Sequence, residues 1–316
     1  MTSPILTTVL PVFGLILLGY GFARARIIDA NAGRGITLFV FNVAIPALLF
    51  RTVASMGQQQ GAPWALWLAY FGGLALAWIA AAIISQRIES LDYSGGAAAS
   101  MATGFGNLAL LGTPLALAHF GQQIAVPLGM ILSIHAPVLW TAATLHRELG
   151  RHSGSLSFAK LGREMLTMLT RNAIIIALAA GTLWRFTGLG LHPIPDKMLT
   201  MLADAGVPTA LFALGVSLSA YSLKGSWTGM FTLIGLKMFL MPMLVFGLSR
   251  YAVSLPPLWT KVAVLFAAMP TGANAFLFSQ KNDEAVAAVS GAITLGTGLA
   301  AINASVLLYL IDMDVI

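Results

Sequence analysis

The chain has 316 residues, of which 58% are hydrophobic and 9% are charged, and its mean hydropathy is +0.86. A soluble domain carries roughly 25% charged residues, so this composition excludes one and predicts a polytopic membrane protein. The net charge of +6 does not indicate nucleic-acid binding, because the basic residues lie between apolar segments, where membrane orientation requires them. The absence of cysteine excludes disulfides, thiolate catalysis and cysteine-based metal sites.

At about 20 apolar residues per crossing, the sequence predicts ten spans. No basic segment precedes the first span, which is therefore interpreted as a retained helix rather than a signal peptide. A polar connection, residues 148–164, separates five spans from the next five. The predicted spans cover approximately residues 3–23, 35–54, 64–85, 93–120, 124–145, 165–186, 197–218, 227–249, 258–280 and 284–311.

The two halves of the chain share a motif at one constant offset. The second span contains NVAIPALLF, which begins at Asn42 and includes Pro46. The seventh span contains DAGVPTALF, which begins at Asp204 and includes Pro208 at the corresponding place. The same offset matches further positions, Phe50 with Phe212 and Gly19 with Gly181.

This repetition predicts the fold class and the organisation of the chain. An odd number of spans per repeat places two directly joined repeats in opposite orientations, as in many secondary transporters. We expect an all-α membrane protein of ten transmembrane helices, arranged as two inverted five-helix repeats with broken crossing helices 4 and 9. Residues 1–147 form the first repeat, 148–164 a cytoplasmic connecting loop, and 165–316 the second repeat.

The fourth and ninth spans carry the interruptions that predict a binding site. The ninth contains Pro270, Gly272 and Asn274, and the fourth contains Gly106 and Asn107 within GFGNLALLGTP. Proline removes a helical hydrogen bond and glycine adds flexibility, so both spans are expected to unwind there. Irregular backbone at membrane depth is tolerated where protein buries it or where it lines a cavity. We therefore predict that these residues bind substrate; the alternative is that each asparagine only caps its own break.

Lys237 is the basic residue near the middle of a span. It lies about 11 residues from either end, roughly 16 Å at 1.5 Å per residue, which is too far for easy snorkelling. An ionisable group at that depth predicts a functional role, here a fixed cation that attracts an anion or replaces a bound sodium. The alternative is a structural tie to backbone carbonyls of the unwound segments.

A second set of polar residues lies in the second and seventh spans. Asp204 is a carboxylate within a span, four residues before Pro208, and could bind a coupling proton or cation. The alternative, favoured slightly because its counterpart Asn42 is neutral, is that Asp204 caps the seventh helix near the outer surface. Asn42 and Pro46 are then expected to support the second helix in the same way.

The sequence gives no sign of an enzyme, a metal site or a cofactor. His119 and His135 are isolated, without carboxylates at metal-ligand spacing. Ser133 and His135 form a chance pair, because no Gly-x-Ser-x-Gly motif accompanies them.

The distribution of basic residues predicts the orientation. With both termini outside, eleven Lys and Arg residues flank the inner ends of the spans and five flank the outer ends. We therefore expect a multi-pass protein of the bacterial inner membrane with periplasmic or extracellular termini and the long connection in the cytoplasm. The expected partners are the lipid bilayer and a small organic anion, with no nucleic acid; the oligomeric state is left open, a homodimer being one alternative.

The paired NVAIPALLF and DAGVPTALF motifs, the GFGN and PTGAN breaks and the ten-span layout resemble the auxin efflux carrier family over essentially the whole chain. That family includes the plant PIN-type carriers and bacterial malate and malonate permeases, and it belongs with the bile-acid/sodium symporter-like folds. The resemblance implies a scaffold of helices 1, 2, 6 and 7 and a transport domain of helices 3–5 and 8–10. By position, Asn107 and Asn274 match the crossover asparagines of that family, with Pro114 and Pro270 near the breaks.

The resemblance also implies the activity. It predicts a secondary active transporter, a permease or efflux carrier, that moves a carboxylate such as malate, malonate or an auxin-like acid by an elevator-like alternation. Alternatives are a sodium- or proton-coupled anion symporter and, from another class, an anion channel or membrane receptor. No acidic residue adjoins either break, which argues against sodium coupling.

Overall fold

A computed structural model describes residues 4–55, 63–91, 96–151, 158–221, 223 and 226–316. These residues form helices, turns and one isolated antiparallel bridge, with no β-strand among them, which confirms the predicted all-α class. The middle of the predicted connection, residues 152–157, lies outside the described residues. The α-helices are α1 (Pro4–Arg24), α2 (Ala30–Phe39), α3 (Ile45–Ser55), α4 (Pro63–Ser85), α5 (Ala97–Gly104), α6 (Thr113–Phe120), α7 (Ala125–Arg151), α8 (Phe158–Thr170), α9 (Ala173–Phe186), α10 (Pro193–Leu218), α11 (Trp227–Gly235), α12 (Met241–Gly247), α13 (Pro257–Ala267), α14 (Ala273–Asn282) and α15 (Val286–Asp312).

The described residues contain seven helical stretches that are long and apolar enough to cross a membrane, and the bent pair α8 and α9 makes an eighth. Two shorter apolar helices, Leu108–Phe120 and Pro257–Ala267, belong to the interrupted segments. The chain is therefore a multi-pass membrane protein, whereas the count of ten spans and the inverted repeat stay predictions. The seven stretches are Thr7–Arg24, Ala30–Ser55, Pro63–Ser85, Gln122–Gly150, Pro193–Leu218, Trp227–Ala252 and Val286–Asp312.

The sixth span differs from the continuous helix expected over residues 165–186. α8 ends at Thr170 and α9 begins at Ala173, with a bend of 59° between them. Asn172 lies at the break, where its side-chain oxygen accepts hydrogen bonds from the backbone N–H groups of Ile174 and Ile175 and caps α9. α7 continues to Arg151 and α8 already begins at Phe158, so helices extend into both ends of the expected loop.

The chain divides into two compact units, each assembled from separate stretches. Unit 1 contains α1–α3, α6, the first part of α7, α9 and α10; its residues are Met1–Ala62, Ala109–Ser133 and Leu169–Ala220. Unit 2 contains α4, α5, the remainder of α7, most of α8, and α11–α15; its residues are Pro63–Leu108, Ile134–Met168 and Tyr221–Ile316.

Unit 1 is held together by two close helix pairs, α1 with α10 and α3 with α9. Gly19 lies so close to the backbone carbonyl of Phe212 that a Cβ atom would overlap it. Gly181 makes the matching contact in the second pair, where a Cβ atom would lie 2.9 Å from the carbonyl oxygen of Phe50. The small residues matched in the sequence thus let both helix pairs approach closely, as is usual between helices in lipid.

The repeated prolines of unit 1 loosen the helices that contain them. Pro46 has no N–H to donate to the carbonyl of Asn42, and the chain forms a π-helical turn, Val40–Ala44, before it. Pro208 leaves the carbonyl of Asp204 without its helical partner in the same way, although α10 continues through it. The next residue, Thr209, donates its hydroxyl to the carbonyls of the preceding turn.

Unit 2 packs α4 against α5 and α12, and α11 against α15. A buried ion pair ties the end of α7 to the turn before α15: Arg147 Nε lies 3.0 Å from Glu284 Oε1. Glu284 is 6% exposed and lies between Asp283 and Ala285, both of which have positive φ angles. Its backbone carbonyl accepts the hydroxyl of Ser279, which closes the turn.

Candidate functional site

Two helices of unit 2 end at a common point. α5 ends at Gly104 and α13 ends at Ala267, and each is followed by a few non-helical residues before the next helix. A π-helical turn resumes at Leu108 in the fourth segment, and α14 begins at Ala273 in the ninth. The helices therefore break where the sequence predicts, at Gly106–Asn107 and between Pro270 and Asn274.

The two breaks pair with each other as a short antiparallel bridge between Gly106 and Thr271. The N–H of Asn107 donates to the carbonyl of Pro270, and the N–H of Gly272 donates to the carbonyl of Phe105, both over 2.8 Å. These bonds satisfy backbone groups that the breaks release from their helices.

Side-chain bulk is excluded from this crossing. A Cβ atom at Gly272 would lie 3.0 Å from the carbonyl oxygen of Gly106, so the two glycines allow the backbones of the two broken segments to touch. Thr271 reinforces the contact, because its hydroxyl donates over 2.9 Å to the carbonyl of Ala102 in the last turn of α5. Together these residues define the crossover, Phe105–Asn107 with Pro270–Asn274.

Both predicted asparagines lie at the crossover with their amides unengaged. Asn107 and Asn274 are half-buried, and no hydrogen bond links either side-chain amide to another described residue. The N-cap of α14 is Gly272, which makes no side-chain bond, so Asn274 is not used as the cap that the alternative interpretation required. A substrate role for the two amides therefore stays a prediction, with donors and acceptors on both.

The helix that begins at the crossover adds positive potential. The N–H groups of Ala273 and Asn274, the first two of α14, have no partner among the described residues, whereas that of Ala275 donates to the carbonyl of Gly272. The helix dipole adds partial positive charge at the same end. A carboxylate near Asn274 would accept hydrogen bonds from these groups without requiring a fixed charge.

Lys237 lies beside the crossover in a π-helical turn, Leu236–Leu240. It is fully buried, and its Nζ donates over 2.8 Å to the carbonyl of Ala267, the last residue of α13, with Met241 Sδ at 3.1 Å. A Cβ atom at Gly106 would lie 3.1 Å from the same Nζ. The carbonyl end of α13 favours a cation there. This is the predicted structural tie; contact with substrate stays a prediction.

The charges of the described residues leave this lysine without an acidic partner. Glu284 is the buried acid of the described residues, and it is paired with Arg147. The described residues contain no group of three His, Cys, Asp or Glu side chains that could hold a metal ion. The crossover thus carries one positive group, amides and free helix N–H groups, a combination that suits an anion.

The second predicted set, Asn42, Pro46, Asp204 and Pro208, belongs to unit 1. The amide of Asn42 donates over 3.0 Å to the carbonyl of Leu38 in its own helix. Asp204 is exposed in the middle of α10, which begins at Pro193 with His192 as its N-cap. Asp204 therefore does not cap the seventh helix, and that interpretation is wrong because the helix begins more than two turns earlier. A coupling role for it stays a prediction.

A narrow apolar cleft lies within unit 1, next to the proline-containing turns. Ala44 and Leu48 line it from one helix, Thr113 and Pro114 from α6, and Gly206 from α10. The cleft has no charged residue in its lining, so it offers a carboxylate no counter-charge.

The structure brings to the crossover a residue that the sequence interpretation discounted. The imidazole of His135, on α7, packs edge-on against Phe105, with ring centroids 4.8 Å apart. The signal was present in the sequence, because an ionisable side chain on an apolar helix predicts function whether or not metal ligands surround it.

Comparison with known proteins identifies the family. A profile described as membrane transport protein matches residues 4–308. The chain belongs to this membrane transport family. Members of such a family move solutes, so the protein is a transporter and not an enzyme. The match runs through both sets of interrupted helices and the whole crossover.

The relatives extend across bacteria, archaea and plants. A Rhizobium meliloti protein that carries the provisional name of malonate transporter is 27% identical over 307 residues, covering 96% of this chain and 94% of its own. An uncharacterized transporter of Methanothermobacter thermautotrophicus is 26% identical over 303 residues, covering 94% and 95%. Auxin efflux carrier component 8 of Arabidopsis thaliana is 22% identical over 361 residues, covering 98% of each chain. These matches confirm the predicted likeness to the auxin efflux carrier family.

Proposed function

We propose that the protein is a secondary active transporter that carries a small organic anion, a carboxylate, across the bacterial inner membrane. The observation that carries this proposal is the crossover: two unengaged asparagine amides, a free helix N-terminus and a buried lysine without an acidic partner. A carboxylate would satisfy the amide donors and balance the ammonium charge.

The substrate class follows from charge and from the relatives. One basic group and neutral donors suit a carboxylate better than a metal ion or an organic cation, which would meet the amino group of Lys237. The name of the Rhizobium relative suggests malonate, and that of the plant relative suggests an auxin, an aromatic carboxylic acid. Malonate and indole-3-acetate are therefore the first two compounds to test.

An elevator-like mechanism on ten helices is supported by the division of the chain. Unit 1 contains the stretches of the predicted scaffold, and unit 2 contains most of the predicted transport domain with the crossover. The contacts of Gly19 and Gly181 in unit 1 favour an inverted repeat. Gly19 packs on Phe212 and its counterpart Gly181 packs on Phe50, the counterpart of Phe212, so the two helix pairs make equivalent contacts. In this proposal unit 2 carries the bound anion across while unit 1 stays fixed.

The decisive experiment is uptake of radiolabelled malonate and indole-3-acetate into proteoliposomes. We expect saturable uptake of at least one compound, reduced at least tenfold in affinity by Asn107→Ala and by Asn274→Ala, since each loses a hydrogen bond to a charged group worth about 1.5–3 kcal/mol. Asn282→Ala is the matched control, because the amide of Asn282 bonds to the carbonyl of Phe278 in its own helix.

Unchanged uptake in both crossover variants would refute the site. Replacement of sodium by choline in the same assay separates the alternatives, since a sodium symporter would lose uptake and the proposed carrier would not. Electrical recording that showed unitary currents would indicate an anion channel, because a carrier turns over too slowly to produce them.

The proposed topology places both termini on the periplasmic side and α8 on the cytoplasmic side. The chain contains no cysteine, so single introduced cysteines report their location without interference. We expect a membrane-impermeant maleimide to label Leu189→Cys, at an exposed position between α9 and α10, in intact spheroplasts. Gly162→Cys, on exposed α8, should react only after lysis; the reverse pattern would invert the topology.

A further inference from the structure

Unit 2 contains a group of buried polar side chains whose hydrogen-bonding capacity the described residues do not use. His135 is 3% exposed, and neither of its ring nitrogens has a partner. The hydroxyls of Tyr70 and Thr103, both fully buried, also lack partners. Buried polar groups are nearly always hydrogen-bonded, so an unengaged imidazole needs a reason.

This imidazole lies directly behind the crossover. Its ring centroid is 4.8 Å from that of Phe105, 5.9 Å from that of Tyr70 and 6.4 Å from that of Phe71. Phe105 in turn holds the crossover, since its carbonyl accepts the N–H of Gly272. A change in the charge of His135 would therefore be felt at Phe105, which belongs to the crossover where the anion is proposed to bind.

The charged and titratable groups around His135 come from two elements. α4 contributes Tyr70, and the π-helical turn Leu236–Leu240 contributes Lys237, whose Nζ lies beside Gly106, the residue that follows Phe105. The crossover segment contributes only Phe105. No carboxylate of the described residues bonds to His135, so a proton on the ring places a second positive charge near the ammonium of Lys237.

We propose that His135 binds the proton that this transporter moves together with its anion. One proton adds to a free ring nitrogen when the anion binds and leaves when the anion is released, with no other bond made or broken. The anion offsets the repulsion between the imidazolium and Lys237, so proton and anion bind cooperatively and by linkage each increases the affinity of the other. This inference rests on the proposed function, because it needs an anion at the crossover.

The test measures malonate affinity of the purified protein between pH 7 and pH 9, where both malonate carboxyls are ionised. Linkage to one proton predicts that the affinity for malonate falls by up to about tenfold for each unit by which the pH rises. His135→Gln should bind malonate with a nearly flat profile, while Tyr70→Phe should retain the slope. Calorimetry of the wild type in two buffers of different ionisation enthalpy should show uptake of up to one proton per malonate, without relying on any variant.

Each result distinguishes the two proposals. Malonate binding and transport with no proton uptake by the wild type would overturn the role of His135 and leave the carrier intact. A slope that persists in His135→Gln but disappears in Lys237→Met would overturn it as well, by moving the proton to the lysine. If neither malonate nor indole-3-acetate binds at all, both proposals fall.

Discussion

Substitution of Lys237 by methionine tests whether its charge serves the anion or only the fold. Methionine has nearly the length of lysine and no charge, so it fills the buried site without opening a large cavity. An ammonium about 7 Å from a bound carboxylate, at an effective dielectric constant of about 20, contributes about 2.4 kcal/mol. We expect Lys237→Met to weaken malonate or indole-3-acetate binding by a factor of about 50.

The effect on stability should be much smaller. The variant leaves the carbonyl of Ala267 without its donor, which destabilises the fold. It also removes the cost of burying an unpaired ammonium, which stabilises it, so the two effects partly cancel. Thermal unfolding in detergent should therefore show a melting temperature within a few degrees of the wild type.

A matched control removes a charge of the same sign elsewhere in unit 2. Lys261 pairs through Nζ with the exposed Asp314 at 2.8 Å, and the pair holds the pKa of the Asp314 carboxyl below its usual value. Lys261→Met should leave anion affinity within about twofold, because that charge is near solvent and screened. Equal loss of affinity in both variants, or a large loss of folded Lys237→Met protein with unchanged affinity, would refute the argument.

Three further predictions concern the fold. Gly19→Ala should lower the free energy of unfolding by about 1–3 kcal/mol through overlap at the α1–α10 contact, whereas Gly14→Ala, with open space around it, should be nearly neutral by the same thermal unfolding measurement. Glu284→Gln should destabilise unit 2 by about 1.5–3 kcal/mol, because Arg147 loses a charge-assisted hydrogen bond and keeps only the longer ion pair with Glu148, at 3.6 Å; proteolysis that is no faster than in the wild type would contradict this. A double-mutant cycle on Arg51 and Asp196, a part-exposed pair with Nε–Oδ1 at 2.6 Å, should give a coupling of about 0.2–1 kcal/mol that falls as salt is added.

The features that the sequence predicted correctly are those with a local cause. Composition alone indicates the membrane, because few charged residues can be solvated in lipid. Proline removes a helical hydrogen bond and glycine adds flexibility, so the combination of both with a polar residue allowed the breaks at Gly106 and Pro270 to be placed from the sequence, although α10 continues through Pro208. The family likeness rests on the same motifs.

Local signals were less reliable where a polar residue had two possible uses. Asn172 lies within the sixth span, which the sequence interpretation treated as one helix, yet its side chain caps α9 where the chain bends by 59°. Asp204 was assigned to a helix end, but α10 begins at Pro193. Both cases depend on where the neighbouring turns begin, which hydropathy does not resolve within a few residues.

Only the tertiary structure decided which distant residues meet. The sequence matched Gly19 with Gly181 as equivalent positions, whereas the fold packs Gly19 on Phe212 and Gly181 on Phe50. The fold also places the ammonium of Lys237 on the last carbonyl of α13 and the imidazole of His135 on Phe105. Such contacts join residues 30 positions apart in both of these last cases, and they follow from how helices pack rather than from any local pattern. The sequence therefore determines that this chain breaks two helices within a membrane, and the packing of unit 2 determines which charges lie where they cross.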